Sequence, residues 1–252
     1  MKTIKCIFLC SVLSLLSFSS CLENVGNSQT FSADNAVVRY SSHSPGVTLL
    51  DTPYGRVAAP ELNSKNYKDG DCLLASFMVD YDNQPKQSAY LAVSSVQAEK
   101  LGKTNIIMLD SETQSISKEI DDMSVDSISD VRFLGYSGAY CIDNNLFMGF
   151  FQPDAKTRSY DYQLVYSDSF IDKIPVLYVC AKDSSVSSAI PYGDYRIQAI
   201  DISRFLDLYP NSENQITFYL KYKSGVDNKN ENIYKLYSKE PITVVNYLYT
   251  ED

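Results

Sequence analysis

The side chains in this 252-residue sequence that could carry chemistry are His43, Ser137, the acids scattered over 111–130 and the cysteines. His43, in Ser41-Ser42-His43-Ser44-Pro45-Gly46, is the one histidine, so a Ser-His-Asp triad would have to use it as its base. It lies in a turn-rich segment near the start of the chain and reads as an exposed loop histidine. Gly135-Tyr136-Ser137-Gly138-Ala139 approaches the G-x-S-x-G nucleophile elbow but has Ala139 where the second glycine is required, and it reads as a hairpin turn. Asp121-Asp122-Met123-Ser124-Val125-Asp126 lacks the glycine and the spacing of a calcium loop. No pair of carboxylates stands out for glycoside hydrolysis, and no glycine-rich loop is present to cradle phosphate. The expectation is no catalytic residue, no metal site, no cofactor, and a protein that is not an enzyme.

One cysteine does carry a chemical signal. Lys2 and Lys5 precede an apolar run over 6–16, and Ser17-Phe18-Ser19-Ser20-Cys21 follows. A positive n-region, an apolar h-region and small residues before the cut are the layout of a cleaved export signal. The residues before Cys21 look like a lipobox, which makes its thiol the expected site of lipid attachment. Each buried methylene of an acyl chain contributes roughly 0.8 kcal/mol, so two or three chains anchor a protein without a spanning helix. The run itself is shorter than the ~20 residues a span needs. Cys6 and Cys10 leave with the signal. Cys72, Cys141 and Cys180 are spaced too widely for a redox pair or a zinc knuckle, and each sits in or beside an apolar run, as small buried hydrophobes do.

The formal charge is -9, and removal of 1–20 takes away Lys2 and Lys5 with no acid, giving -11. So acidic a chain is poorly suited to phosphate backbones, and nucleic acid is not an expected partner. Aromatic content is unusual: 20 Tyr and 11 Phe accompany no Trp. Tyrosine suits strands and also supplies rigid amphipathic contact area. Tyr219, Tyr247 and Tyr249 are expected to point out from their strands as a binding surface for a protein or a glycan, against the alternative of ordinary sheet packing.

The elements that would position these residues are strands. After a signal peptide over 1–20, residues 21–35 are polar and read as a tether. From residue 36 the apolar period becomes two, with turns at Ser44-Pro45-Gly46, Thr52-Pro53-Tyr54-Gly55 and Asp82-Asn83-Gln84-Pro85. Both faces of the run after Asp71 are largely apolar in its first half, as in a central strand. Five or so short strands predict a small OB-like β-barrel over 36–110. The acid- and serine-rich stretch 111–130 reads as an interdomain connector. Over 131–252, seven candidate strands at 131–136, 146–151, 160–166, 175–181, 194–202, 215–223 and 241–249 predict a β-sandwich, with one turn of helix at 206–209. The fold class expected is all-β, a small N-terminal OB-like barrel followed by a C-terminal β-sandwich.

This order of motifs resembles the NigD-like lipoproteins of Bacteroidota. The resemblance rests on the lipobox at Cys21, Tyr54-Gly55-Arg56-Val57 before Asp69-Gly70-Asp71, Ala89-Tyr90-Leu91-Ala92-Val93, Val176-Leu177-Tyr178-Val179-Cys180-Ala181, Gly193-Asp194-Tyr195-Arg196-Ile197 and Asp201-Ile202-Ser203-Arg204-Phe205-Leu206. It implies a fold and an address in the cell envelope and supplies no catalytic residues. The expected function is a non-enzymatic protein, lipid-anchored in the envelope at the outer membrane, that presents a β-domain surface to a protein or glycan. A bacteriocin immunity protein is the first alternative and an unrecognised envelope hydrolase the second.

Overall fold

The computed structural model describes residues 26–40, 46–62, 66–86, 90–109, 120–121, 126–134, 139–152, 159–184, 187, 189–209 and 214–249. Cys21, His43 and the 135–138 turn lie outside the described residues, as does most of 111–130.

The first unit is a closed barrel of β1 (Ser28–Tyr40), β2 (Thr48–Thr52), β3 (Gly55–Ala58), β4 (Cys72–Asp80) and β5 (Leu91–Lys100), in the order β1-β2-β3-β5-β4. Strand β1 closes it by serving two neighbours: Ser28 to Val37 run antiparallel to β4, and Val37 to Tyr40 run antiparallel to β2. Phe31 pairs with Phe77 and Asp34 with Ala75, so β1 carries one extra residue between them. That bulge resets the alternation. Phe31 before it and Ala36 and Val38 after it all point inward, where they meet Leu50, Val57, Leu73, Ala75, Phe77, Val79 and Val93.

The second unit is a twelve-stranded sheet folded into two layers. Its strands are β6 (Lys103–Asn105), β7 (Ile107–Met108), β8 (Asp130–Phe133), β9 (Tyr140–Ile142), β10 (Asn145–Phe151), β11 (Tyr160–Ile171), β12 (Ile174–Asp183), β13 (Ile190–Tyr192), β14 (Tyr195–Asp201), β15 (Gln215–Val226), β16 (Asn232–Leu236) and β17 (Ile242–Tyr247). A short helix, α1 (Ser203–Leu208), follows β14. Strand β15 joins the layers: Gln215 to Phe218 pair with β17 in one, and Tyr219 to Tyr222 pair with β12 in the other. Ile216, Phe218, Leu220 and Tyr222 alternate into the core between the layers, with Phe150, Tyr162, Leu177 and Phe205. Two hairpins close through residue pairs with positive φ, Asp143-Asn144 (48° and 63°) and Asp172-Lys173 (50° and 69°). Such turns match the right-handed twist of the strands they join.

All seven strands expected in the sandwich are present, and β9, β13 and β16 add to them. The unit boundaries differ from expectation. Strand β1 begins at Ser28, inside the segment read as a tether. The barrel ends at β5, and the next residues enter the sandwich at once: β6 pairs parallel to β14 and β7 parallel to β11. The described residues of 111–130 are packed on the second unit as well, correcting their reading as a connector. Ile120 is buried against Val165 and Cys180, the Tyr234 hydroxyl donates to Asp121 at 2.7 Å, and the Ile128 amide donates to Lys223 O at 2.7 Å.

The two units share a third apolar cluster. Val37, Cys72 and Leu74 of the barrel, with Leu101 just after β5, pack on Tyr140, Ile142, Phe147, Ile197 and Ala199 of the sandwich. Strand β4 is thus apolar on both faces because its inner face lines the barrel and its outer face meets the second unit. Polar contacts frame this seam. Asn35 donates to Leu134 O and to the Tyr140 hydroxyl, both at 2.8 Å. Asp51, 1% exposed, accepts from Arg56 at 2.5 and 3.1 Å and from Arg39 at 3.3 Å. Arg39 also pairs with Asp143 of the sandwich, while Arg56 donates to Tyr249 O at 3.3 Å and lies over the Tyr249 ring.

Candidate binding site

On the barrel, the β2–β3 turn and the bulged part of β1 enclose a groove of about 390 Å³ lined by Gln29, Thr30, Phe31, Ser32, Asp34 and Tyr54. Its position follows from local structure. Thr52 Oγ1 accepts the Tyr54 amide at 3.2 Å and donates to Gly55 O at 2.8 Å, closing a tight turn. Gly55 sits at φ +125°, a conformation that L side chains rarely adopt. The Tyr249 hydroxyl, from the sandwich, donates to Thr52 O at 2.5 Å and ties the turn to the second unit. Tyr54 therefore stands at the tip of a braced turn, 52% exposed.

Behind that ring is a ladder of aromatics running into the core. Phe77 and Phe31 stack at 5.0 Å and 24°, and Phe31 meets Tyr54 at 4.9 Å and 46°. Phe31 and Phe77 are buried, so the half-exposed outermost residue rests on a rigid base. Beside it, Asp34 hydrogen-bonds with Tyr54, and burial raises its carboxyl above the usual range while that bond works the other way. Gln29 accepts from the Tyr81 hydroxyl at 3.2 Å through its amide oxygen, and its amide nitrogen makes no hydrogen bond with other described residues. The groove thus offers one aromatic platform, one carboxylate, one amide and the exposed hydroxyls of Thr30 and Ser32.

The tyrosines expected to form a binding surface do not form one. Tyr219 faces away from the sandwich core as its alternation requires, yet it is only 8% exposed. The outer face of its layer is not open, since Ile120, Tyr178 and Tyr234 pack there. Tyr247 and Tyr249 are half-buried in the seam between the units, where Tyr247 meets Tyr140 edge to face. Tyr160, Tyr162 and Tyr166 lie in the sandwich core. Sequence reasoning missed Phe31, Asp34 and Tyr54 as a group. Its available signal was a large aromatic at the tip of a Pro-Tyr-Gly turn.

Cys72, Cys141 and Cys180 are free and buried. Burial pushes the Cys72 and Cys180 thiols up to about 12 and Cys141 higher still. No group of three His, Cys, Asp or Glu side chains among the described residues is arranged to hold a metal ion. A second depression, about 500 Å³, lies beside α1. Its polar groups largely satisfy one another: Tyr166 donates to Asp168 at 2.9 Å and shares a 2.6 Å hydrogen bond with Tyr209.

Known proteins share this architecture. Residues 26–99 match the family described as the lipoprotein OB domain, which defines the class of the first unit. A crystal structure of an uncharacterized protein from Parabacteroides merdae is 16% identical, with a TM-score of 0.56 over 82% of this chain and 95% of its own. A protein of unknown function, DUF1344, from Bacteroides vulgatus is 12% identical, with a TM-score of 0.51 over 83% and 90%. A NigD-like immunity protein from Bacteroides caccae is 13% identical, with a TM-score of 0.39 over 82% and 91%. No curated protein matches the sequence. At these identities the first two likenesses show a shared fold. Over residues 26–99 the barrel resembles the lipoprotein OB domain. The matched family is a lipoprotein domain family and not a known enzyme family, and it points to association with the envelope.

Proposed function

We propose that this chain is a non-enzymatic protein, lipid-anchored through Cys21 in the outer membrane, which presents the barrel groove beside Tyr54 to a protein or glycan partner. The observation that carries the binding role is the half-exposed Tyr54, held on a braced turn and backed by Phe31 and Phe77. Only one carboxylate, Asp34, lines that groove among the described residues. Glycoside hydrolysis normally works through a pair of them about 5–9.5 Å apart, so the groove is better suited to holding a ligand than to cleaving it.

Two measurements test this reading. Metabolic labelling with an alkyne fatty acid should mark the wild-type chain and leave Cys21→Ala unmarked and released from the membrane fraction. Equal labelling of both would remove the anchor. Purified protein incubated with polysaccharides should generate no reducing ends; turnover that disappears in Asp34→Asn would replace the binding role with that of a hydrolase.

A further inference from the structure

The groove's chemistry is specific enough to name a class of ligand. We infer that it binds an uncharged carbohydrate chain, with one pyranose ring laid by its C–H face on Tyr54 and its hydroxyls shared with Asp34, Gln29, Thr30 and Ser32. This rests on the reading of the barrel groove as the binding surface.

Sugar rings are flat, amphipathic bodies with a C–H face on each side and hydroxyls around the rim, so they call for an aromatic face ringed by short polar groups. The groove supplies that set. A carboxylate offers about four lone-pair sites, and the Tyr54 contact engages Asp34 without exhausting them. The Gln29 amide nitrogen and the Thr30 and Ser32 hydroxyls make no hydrogen bond with other described residues, so they are available to donate or accept. At about 390 Å³ the groove falls within the roughly 300–1,000 Å³ range of small-molecule clefts. Its platform is pre-organised by the Phe77–Phe31–Tyr54 ladder and the pinned turn, so little side-chain freedom is lost on binding.

Other classes fit less well. Among the described residues no Lys or Arg lines the groove, and the mature chain carries a formal charge of -11 once Lys2 and Lys5 are removed from the total of -9, which disfavours phosphates and uronates. An extended peptide added to an edge strand draws its specificity from pockets for alternate side chains, and one aromatic ring among hydroxyls does not provide them.

The test is affinity electrophoresis of residues 22–252, which retain every described residue, through gels containing mannan, galactan or mixed-linkage glucan, with polygalacturonate as the anionic counterpart. At least one neutral polymer should retard the protein and polygalacturonate should not. Tyr54→Ala should weaken that retardation about ten-fold, Tyr54→Phe should keep most of it, and Tyr192→Ala, which removes an equally exposed ring on β13, should leave it unchanged. Melting curves matching the wild type would show that each variant is folded. Retardation that survives Tyr54→Ala overturns the inference, as does retardation by polygalacturonate alone. Binding of a random-peptide library that depends on Tyr54, with no neutral polymer bound, overturns the carbohydrate assignment and leaves the groove reading standing. If no ligand of any kind depends on Tyr54, both fall.

Discussion

Replacing Asp51 by alanine should be among the most damaging single changes in the barrel. Its side chain is 1% exposed and accepts from Arg56, 9% exposed, and Arg39, 22% exposed. Hydrogen bonding with Asp51 is the foremost reason that the Arg56 guanidinium holds its proton more tightly than usual. Removing the anion leaves a mostly buried cation without its main partner, and breaking a buried pair in that way costs about 3–5 kcal/mol. Arg39 keeps Asp69 and Asp143, so the lower part of that range applies to its share. For a chain of this size 1 kcal/mol corresponds to about 2–4 °C, so the melting temperature should fall by about 6–20 °C. Because the pair is shielded from solvent, the fall should change little between low and high salt. The double variant Asp51→Leu with Arg56→Met removes both charges and should recover much of the loss. Differential scanning fluorimetry of the three proteins decides the matter. A drop under about 2 °C for Asp51→Ala, or a double variant that melts lower than Asp51→Ala, would refute the argument.

Three further outcomes are expected. The shared apolar seam should make barrel and sandwich unfold in one calorimetric transition, and Leu101→Ala, at a site 1% exposed within that seam, should lower its stability by about 2–5 kcal/mol; two separate transitions in the wild type would argue against the coupling. Cys72, Cys141 and Cys180, buried with their thiols raised to about 12 or above, should resist a thiol-reactive disulfide reagent at pH 8 until denaturant is added, so rapid labelling of the native chain counts against the packing. Asp34 binds its proton more tightly in the folded chain than at the ordinary value of 3.8, so its contribution to stability is full below 3.8 and is lost as pH rises through the folded value. Asp34→Asn should therefore melt higher than the wild type at pH 7, with the difference shrinking toward pH 3.5, and a variant that melts lower at pH 7 reverses the sign.

What was legible in the sequence follows from how many apolar residues report each element. Strand β15 has four inward residues, Ile216, Phe218, Leu220 and Tyr222, and its period of two is plain. The start of β1 has one, Phe31, and the bulge after it breaks the count before Ala36, so Ser28 to Phe31 reads as polar tether. Ile120 and Ile128 are 3% and 0% exposed but isolated among serines and acids, so their stretch reads as a linker although both side chains are buried. Strand β4 showed the opposite ambiguity. Its two apolar faces were visible, but the sequence does not say that the second face belongs to another unit. Tyr219 was given the right parity and the wrong exposure, because alternation reports which way a side chain points and not what covers it. The groove was illegible for a related reason: Asp34 and Tyr54 are twenty residues apart and meet because a bulge turns one and a tight turn lifts the other.

The seam also explains why a binding turn on the barrel would need a second unit at all. Tyr54 lies between the two halves of the Asp51–Arg56 pair, on a turn whose flanks are held by charge and whose Thr52 carbonyl is held by Tyr249. An isolated hairpin of this length is marginal in water, and a platform that moves loses the benefit of pre-organisation. Tyr249 was expected to touch a ligand. Its position instead makes it a support, with its hydroxyl on Thr52, its backbone carbonyl on Arg56 and its ring against the same guanidinium. A sandwich clamped to the barrel in this way holds the Tyr54 turn in one geometry.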